Sequence, residues 1–102
     1  MNTKQIPPMH PGEMIKEDFL NDYGLTQYAL ANALNIPHSR MTEIIAGRRG
    51  ISADTALRLG RFFGNSPEFW LNLQAQYDLR TADAKRVRSE VVPLAMPEPA
   101  MA

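Results

Sequence analysis

The chain of 102 residues contains no cysteine, which excludes disulfide staples and thiolate metal sites and leaves packing to hold the fold. It has only two histidines, His10 and His38, too few for a convincing metal cluster. No apolar run approaches the length of a membrane span, and the N-terminus lacks the basic flank and uninterrupted apolar stretch of a signal peptide. The expectation is therefore a cytoplasmic protein without a membrane association or a cofactor. Strand-type alternation is missing as well. Apolar residues make up 44% of the chain, enough at this length for one small core and too little for two ordinary domains.

Net charge is absent too, with 11 basic residues against 11 acidic ones. The total conceals a division along the chain. From residue 38 to 61 there are Arg40, Arg48, Arg49, Arg58 and Arg61 against Glu43 and Asp54, whereas residues 1 to 24 carry Lys4 and Lys16 against Glu13, Glu17, Asp18 and Asp22. One pole can face phosphate while the other is free for a basic partner. So few cations per chain suggest that useful affinity for DNA needs two copies, because binding falls steeply with salt unless many phosphates are neutralised.

What is present begins with the run QYALANALNIPHSRMTEIIA, Gln27 to Ala46. Leu30, Ala31, Leu34, Ile36, Met41 and Ile44 build two inward helical faces with a short linker between them, the pattern of a helix-turn-helix. Thr26 is placed to cap the first helix, and Asn35 occupies the turn, where a left-handed backbone favours Gly or Asn. Pro37 suits the start of the second helix, where its missing donor costs nothing. In such a unit the second helix lies in the DNA major groove with its first residues against base edges. Here that end carries His38, Ser39, Arg40, Thr42 and Glu43. Arg40 has the fork for guanine, Ser39 and Thr42 suit either base or phosphate, and Glu43 accepts from a cytosine amine. Gln27 is expected to help fix the unit on the DNA backbone, and His38 to make a polar contact. The bland alternative is a merely solvated polar face.

The remaining elements read as helices. Pro11 to Tyr23 forms the first, with Ile15, Phe19 and Leu20 as its inner stripe and Gly24 as its stop. Gly47, Arg48, Arg49 and Gly50 join the recognition helix to a fourth helix from Ser52 to about Phe63. Arg48 or Arg49 either grips flanking phosphates or sits solvated at a helix C-terminus. Ala56, Leu57, Gly60 and Phe63 are assigned inward on the fourth helix, Arg58 and Arg61 outward. A fifth helix starts at the Ser66–Pro67 cap, runs to about Asp78, and has the option of continuing through the basic segment 80 to 88. Its Trp70, Leu73 and Tyr77 are expected to close the core. Phe69, Leu71 and Gln74 point elsewhere and form a candidate dimer or partner surface, unless they complete the same monomer core. The organisation expected is a lead over 1–10, a DNA-binding unit over 11–79, a helical extension over 80–92 and a disordered tail over 93–102, where Pro93, Pro97 and Pro99 crowd together. His10 reads as a cap or packing residue at the first helix, since no nucleophile and base can be assembled around it. The acidic stripe Glu13, Glu17 and Asp18 is either a solvated face or a contact for a basic partner.

HPGE at His10 to Glu13, LTQYALANALNIPHSRMTEIIAGRRGIS at Leu25 to Ser52 and SPEFWLNLQAQYDL at Ser66 to Leu79 together resemble the HigA-type antitoxins, within the Xre group of helix-turn-helix proteins. The middle motif indicates only an Xre-type DNA binder; the outer two narrow the resemblance. It implies a compact five-helix, lambda-repressor-like domain with a C-terminal extension. It also implies a homodimer on a palindromic operator in double-stranded DNA, repressing its own promoter and neutralising a HigB-type toxin, a small basic ribonuclease. The family's DNA contacts fall on Gln27, His38, Ser39, Arg40, Thr42, Arg48 and Arg49. A stand-alone or phage-type regulator without a toxin, or an interaction module that has lost DNA binding, remains the alternative.

Overall fold

The computed structural model describes residues 8–95 and contains six helices among them, with no strand. The lead over 1–7 and the tail over 96–102 lie outside the described residues. The first helix, α1, is one continuous run of three segments, Pro11–Met14, Ile15–Phe19 and Leu20–Tyr23, of which the middle one is a π-helical turn. The wider turn brings Leu20, five residues on, round toward the face of Ile15, so that it packs on the core beside Phe19. Gly24 stops the helix in the left-handed conformation, at φ 63° and ψ 34°.

The next two helices are α2, Gln27–Leu34, and α3, His38–Ile45. The Thr26 hydroxyl accepts from the Ala29 N–H at 3.0 Å and so occupies one of the orphan donors of the α2 N-terminus. Between the two helices Asn35 stands at φ 57° and ψ 48°, the one left-handed residue other than glycine among those described. Pro37 precedes α3 in an extended conformation, and its carbonyl accepts from the N–H groups of Arg40 and Met41. All six residues that the sequence turns inward here, Leu30, Ala31, Leu34, Ile36, Met41 and Ile44, are buried.

Helix α4, Ala53–Phe63, is capped by Ser52, and α5, Pro67–Thr81, by Ser66. On α4 the structure leaves Leu57, which the sequence reading turns inward, 59% exposed, and buries Leu59 completely. Ala56, Leu59, Gly60 and Phe63 follow the spacing i, i+3, i+4, i+7; Leu57, one step from Ala56, is rotated about 100° off that stripe. Trp70 of α5 is fully buried, with its indole N–H donating to Asn65 Oδ1 at 2.8 Å. Its ring meets Phe19 at 5.0 Å between centroids, and Phe19 meets Phe63 at 4.7 Å, so α1, α4 and α5 share one aromatic cluster. Leu73 packs beside it, and Tyr77 lies against the ring of His10.

The chain does not run unbroken into the basic segment. Thr81 turns its hydroxyl back onto the carbonyls of Tyr77 and Asp78, and the Asp83 carboxylate accepts from the Arg86 N–H at 2.9 Å, starting a separate helix α6, Ala84–Glu90. No residue of α6 is buried.

The HPGE motif acquires its meaning here. His10 precedes α1 with Nδ1 accepting from the Gly12 N–H at 2.9 Å, and Pro11 takes the first helical position. Gly12 lets α1 lie directly on the end of α3: a Cβ at this position would overlap the Ile44 carbonyl oxygen and stand 2.6 Å from its carbon. The glycine of this motif therefore seats the first helix on the recognition helix.

Candidate nucleic-acid interface

With Met41 and Ile44 turned inward, the opposite face of α3 presents Ser39 at its centre, flanked by Thr42 on one side and Glu43 on the other, with Arg40 at the edge beside α4. Ser39 and Thr42 are exposed and Arg40 and Glu43 half-buried; none of them enters the core. Four of the polar side chains of α3 are held from outside the helix. Gln27, at the head of α2, donates from Nε2 to Thr42 Oγ1 at 2.8 Å. His38 donates from Nε2 to Asn32 Oδ1 at 2.9 Å and lies 4.1 Å from the ring of Tyr28, between centroids. Arg40 reaches Asp54 on α4 at 3.5 Å, and Glu43 accepts from Arg49 at 2.9 Å. Side chains held in this way lose less rotamer freedom when they engage a partner, so the face is preorganised.

The cations divide. Arg49 neutralises Glu43, removing the repulsion a lone carboxylate would meet near phosphate, while Arg48 stays exposed with no side-chain hydrogen bond or ion pair among the described residues. Arg58 donates to Asp54 at 2.9 Å and to the Leu34 carbonyl at 3.0 Å. The side-chain hydrogen bond from Arg58 comes first in holding the Asp54 carboxyl below its ordinary range, with the charges of Arg58 and Arg40 adding to it.

Tyr28, Asn32 and Asp54 were not legible as members of this face. Tyr28 and Asn32 share the outward side of α2 one turn apart, a weak signal, whereas Asp54 reads in sequence only as a first-turn carboxylate of α4. On α5, the proposed partner surface is largely engaged within the chain: Leu71 packs against the core, Gln74 accepts from the Ile51 N–H at 2.8 Å and donates to Asp78, and Phe69 is left 37% exposed.

His10 lies behind the interface, 7% exposed, between the start of α1, the loop at Gly47 and Tyr77. Burial lowers its pKa from the ordinary 6.5, against the opposing pull of Asp78, Glu13 and the Arg49 backbone. The unfolded chain therefore takes the proton first, so the stability due to neutral His10 is present above that value and is lost as pH falls below about 6.5 toward the folded pKa. Melting temperatures of the wild type should fall as pH drops below about 6.5, and His10→Asn, which keeps a capping oxygen, should flatten that fall. Identical pH profiles for the two proteins would contradict the assignment.

Two helices crossed about a left-handed turn, with a buried inner seam and a polar, unburied outer face on the second, define a helix-turn-helix protein of the DNA-binding type. A family model described as helix-turn-helix matches residues 16–70. Virulence-associated protein I of Dichelobacter nodosus is 46% identical over 91 residues, covering 88% of this chain and 84% of that one. Antitoxin HigA-1 of Vibrio cholerae is 40% identical, with 78% of this chain and 74% of that one covered. The structure of Pseudomonas aeruginosa antitoxin HigA with the higBA promoter superposes with a TM-score of 0.80 at 43% identity, covering 86% of this chain and 99% of that one. The chain belongs to the helix-turn-helix family, within its HigA antitoxin group.

Proposed function

We propose that this protein represses its own promoter by placing α3 in the major groove of a palindromic operator, and that it is the antitoxin of a HigB-type ribonuclease, with no enzymatic activity of its own. The observation that carries this reading is the outward face of α3, where Arg40, Thr42 and Glu43 are each oriented by a residue from another element and Ser39 stands open between them. Base contacts fall to Arg40, Ser39, Thr42 and Glu43, and His38 and Gln27 flank them. Arg48 takes phosphate, which positions the unit without reading sequence. The DNA-binding unit spans residues 11–79, with 80–92 as the helical extension.

The protein acts as a homodimer in the cytoplasm. Beyond Phe69, apolar side chains crowd the C-terminal region: Leu79, Val87, Val91, Val92 and Leu94 are 55–83% exposed, a surface suited to a second copy. Two copies double the phosphate contacts and match a two-fold symmetric site.

The test is binding of the purified full chain to the DNA upstream of its own gene and to a scrambled duplex of equal length, over a range of salt. Preference for the upstream DNA, with affinity falling as salt rises, is expected. Equal affinity for both duplexes sinks the repressor reading. Failure of co-expression to relieve the toxicity of an adjoining toxin-sized reading frame sinks the antitoxin reading alone.

A further inference from the structure

We infer that Asp54 is a positioning residue for base recognition, acting through Arg40. This rests on the proposed repressor reading and adds a residue outside the recognition helix to it. Arg40 lies at the flank of α3 that faces α4, and its side chain is 33% exposed. Among the described residues its guanidinium has one carboxylate in reach, Oδ2 of Asp54 at 3.5 Å. The same oxygen accepts from Arg58 Nε at 2.9 Å, and Arg58 Nη1 donates to the carbonyl of Leu34, the last residue of α2. A continuous chain of polar contacts thus runs from the turn of the helix-turn-helix, through Arg58 and Asp54, to the side chain assigned to guanine.

The arrangement separates two tasks. Arg58 ties the carboxylate firmly to the frame, one helical turn along α4, where the N-terminal end also favours a negative charge. Arg40 is then drawn to a fixed anion by a looser contact, long enough to be exchanged for the two acceptors on a guanine edge. A surface ion pair of this length adds little to fold stability. What it changes is where the guanidinium waits: without Asp54 the side chain samples its full rotamer range and loses that freedom on binding.

Asp54→Asn distinguishes this role from simple charge repulsion. Removing a negative charge beside DNA should strengthen binding to every duplex. If Asp54 positions Arg40, the ratio of operator to scrambled affinity should instead fall about fivefold, within the range that one good base contact supplies. In an Arg40→Ala background the same substitution should leave that ratio unchanged. A thermal melt within a few degrees of wild type shows that the fold is intact, and Asp54→Glu, which retains the charge, should recover part of the ratio. Equal gains on both duplexes, or a loss of ratio that persists in the Arg40→Ala background, overturns the inference while leaving the repressor reading standing. A wild type with no preference for its operator overturns both.

Discussion

Gly12→Ala is expected to be the most damaging single-atom addition in the chain, lowering the melting temperature by more than about 12 °C. The added methyl has no space: it would overlap the carbonyl oxygen of Ile44, a backbone atom that no rotamer change can move. Relief requires α1 to lift off α3. That lift would pull fully buried Ile15 away from the core. Overpacking typically costs about 1–3 kcal/mol and more where the obstacle is rigid, so a cost of about 3 kcal/mol is expected. In a domain of this size each kcal/mol moves the melting temperature by roughly 4–8 °C. Gly24→Ala is the control. Gly24 has nothing within 4 Å of a built Cβ, and its penalty comes only from a left-handed backbone at φ +63°, about 1–2 kcal/mol. Chemical denaturation of the two variants checks the order; a Gly12→Ala protein as stable as Gly24→Ala would mean that α1 does not sit where the structure has it. The recognition helix would feel the displacement too, so operator binding should weaken with stability.

Arg40→Ala should remove most of the preference for the operator, about 1–3 kcal/mol per half-site, while affinity for random DNA falls much less. The reason is geometric. Arg40 projects from the first turn of α3, where base edges are within reach, and its contact with Asp54 is loose enough to exchange. Arg48→Ala should behave oppositely, weakening all duplexes alike and reducing the salt slope by about one per protomer, because an exposed cation in the glycine-bounded loop meets phosphate rather than bases. Arg49 already pairs with Glu43 through its Nε. Titrations of each variant at several salt concentrations, against specific and scrambled duplexes, separate the two roles. Parallel losses from Arg40→Ala and Arg48→Ala on both duplexes would show that no such division exists.

Most of the local architecture could be read from order and spacing. Thr26, Ser52 and Ser66 each cap the helix they precede, Gly24 and Gly64 each end one in the left-handed conformation, and Asn35 bends the turn. Such features depend on groups within four residues of one another, so sequence carries them almost completely. The apolar stripe of the helix-turn-helix was equally plain, because 3.6-residue periodicity is a local property. On α4 the same rule was misapplied to Leu57, although Leu59 fits it better. The π-turn in α1 left no recognisable trace, since it answers to what Leu20 packs against rather than to its neighbours in the chain.

The linear order of residues thus marks the caps that open most helices, the inward seam of the helix-turn-helix, and the side chains that stand at the head of α3. Chain folding alone decides the pairings across elements: Gly12 beneath Ile44, Gln74 with the backbone of Ile51, Gln27 with Thr42, and Arg40 with Asp54. Caps and stripes arise from interactions one turn apart. The pairings join residues 14 to 32 positions apart, and their energies depend on distances that exist only after the helices have packed.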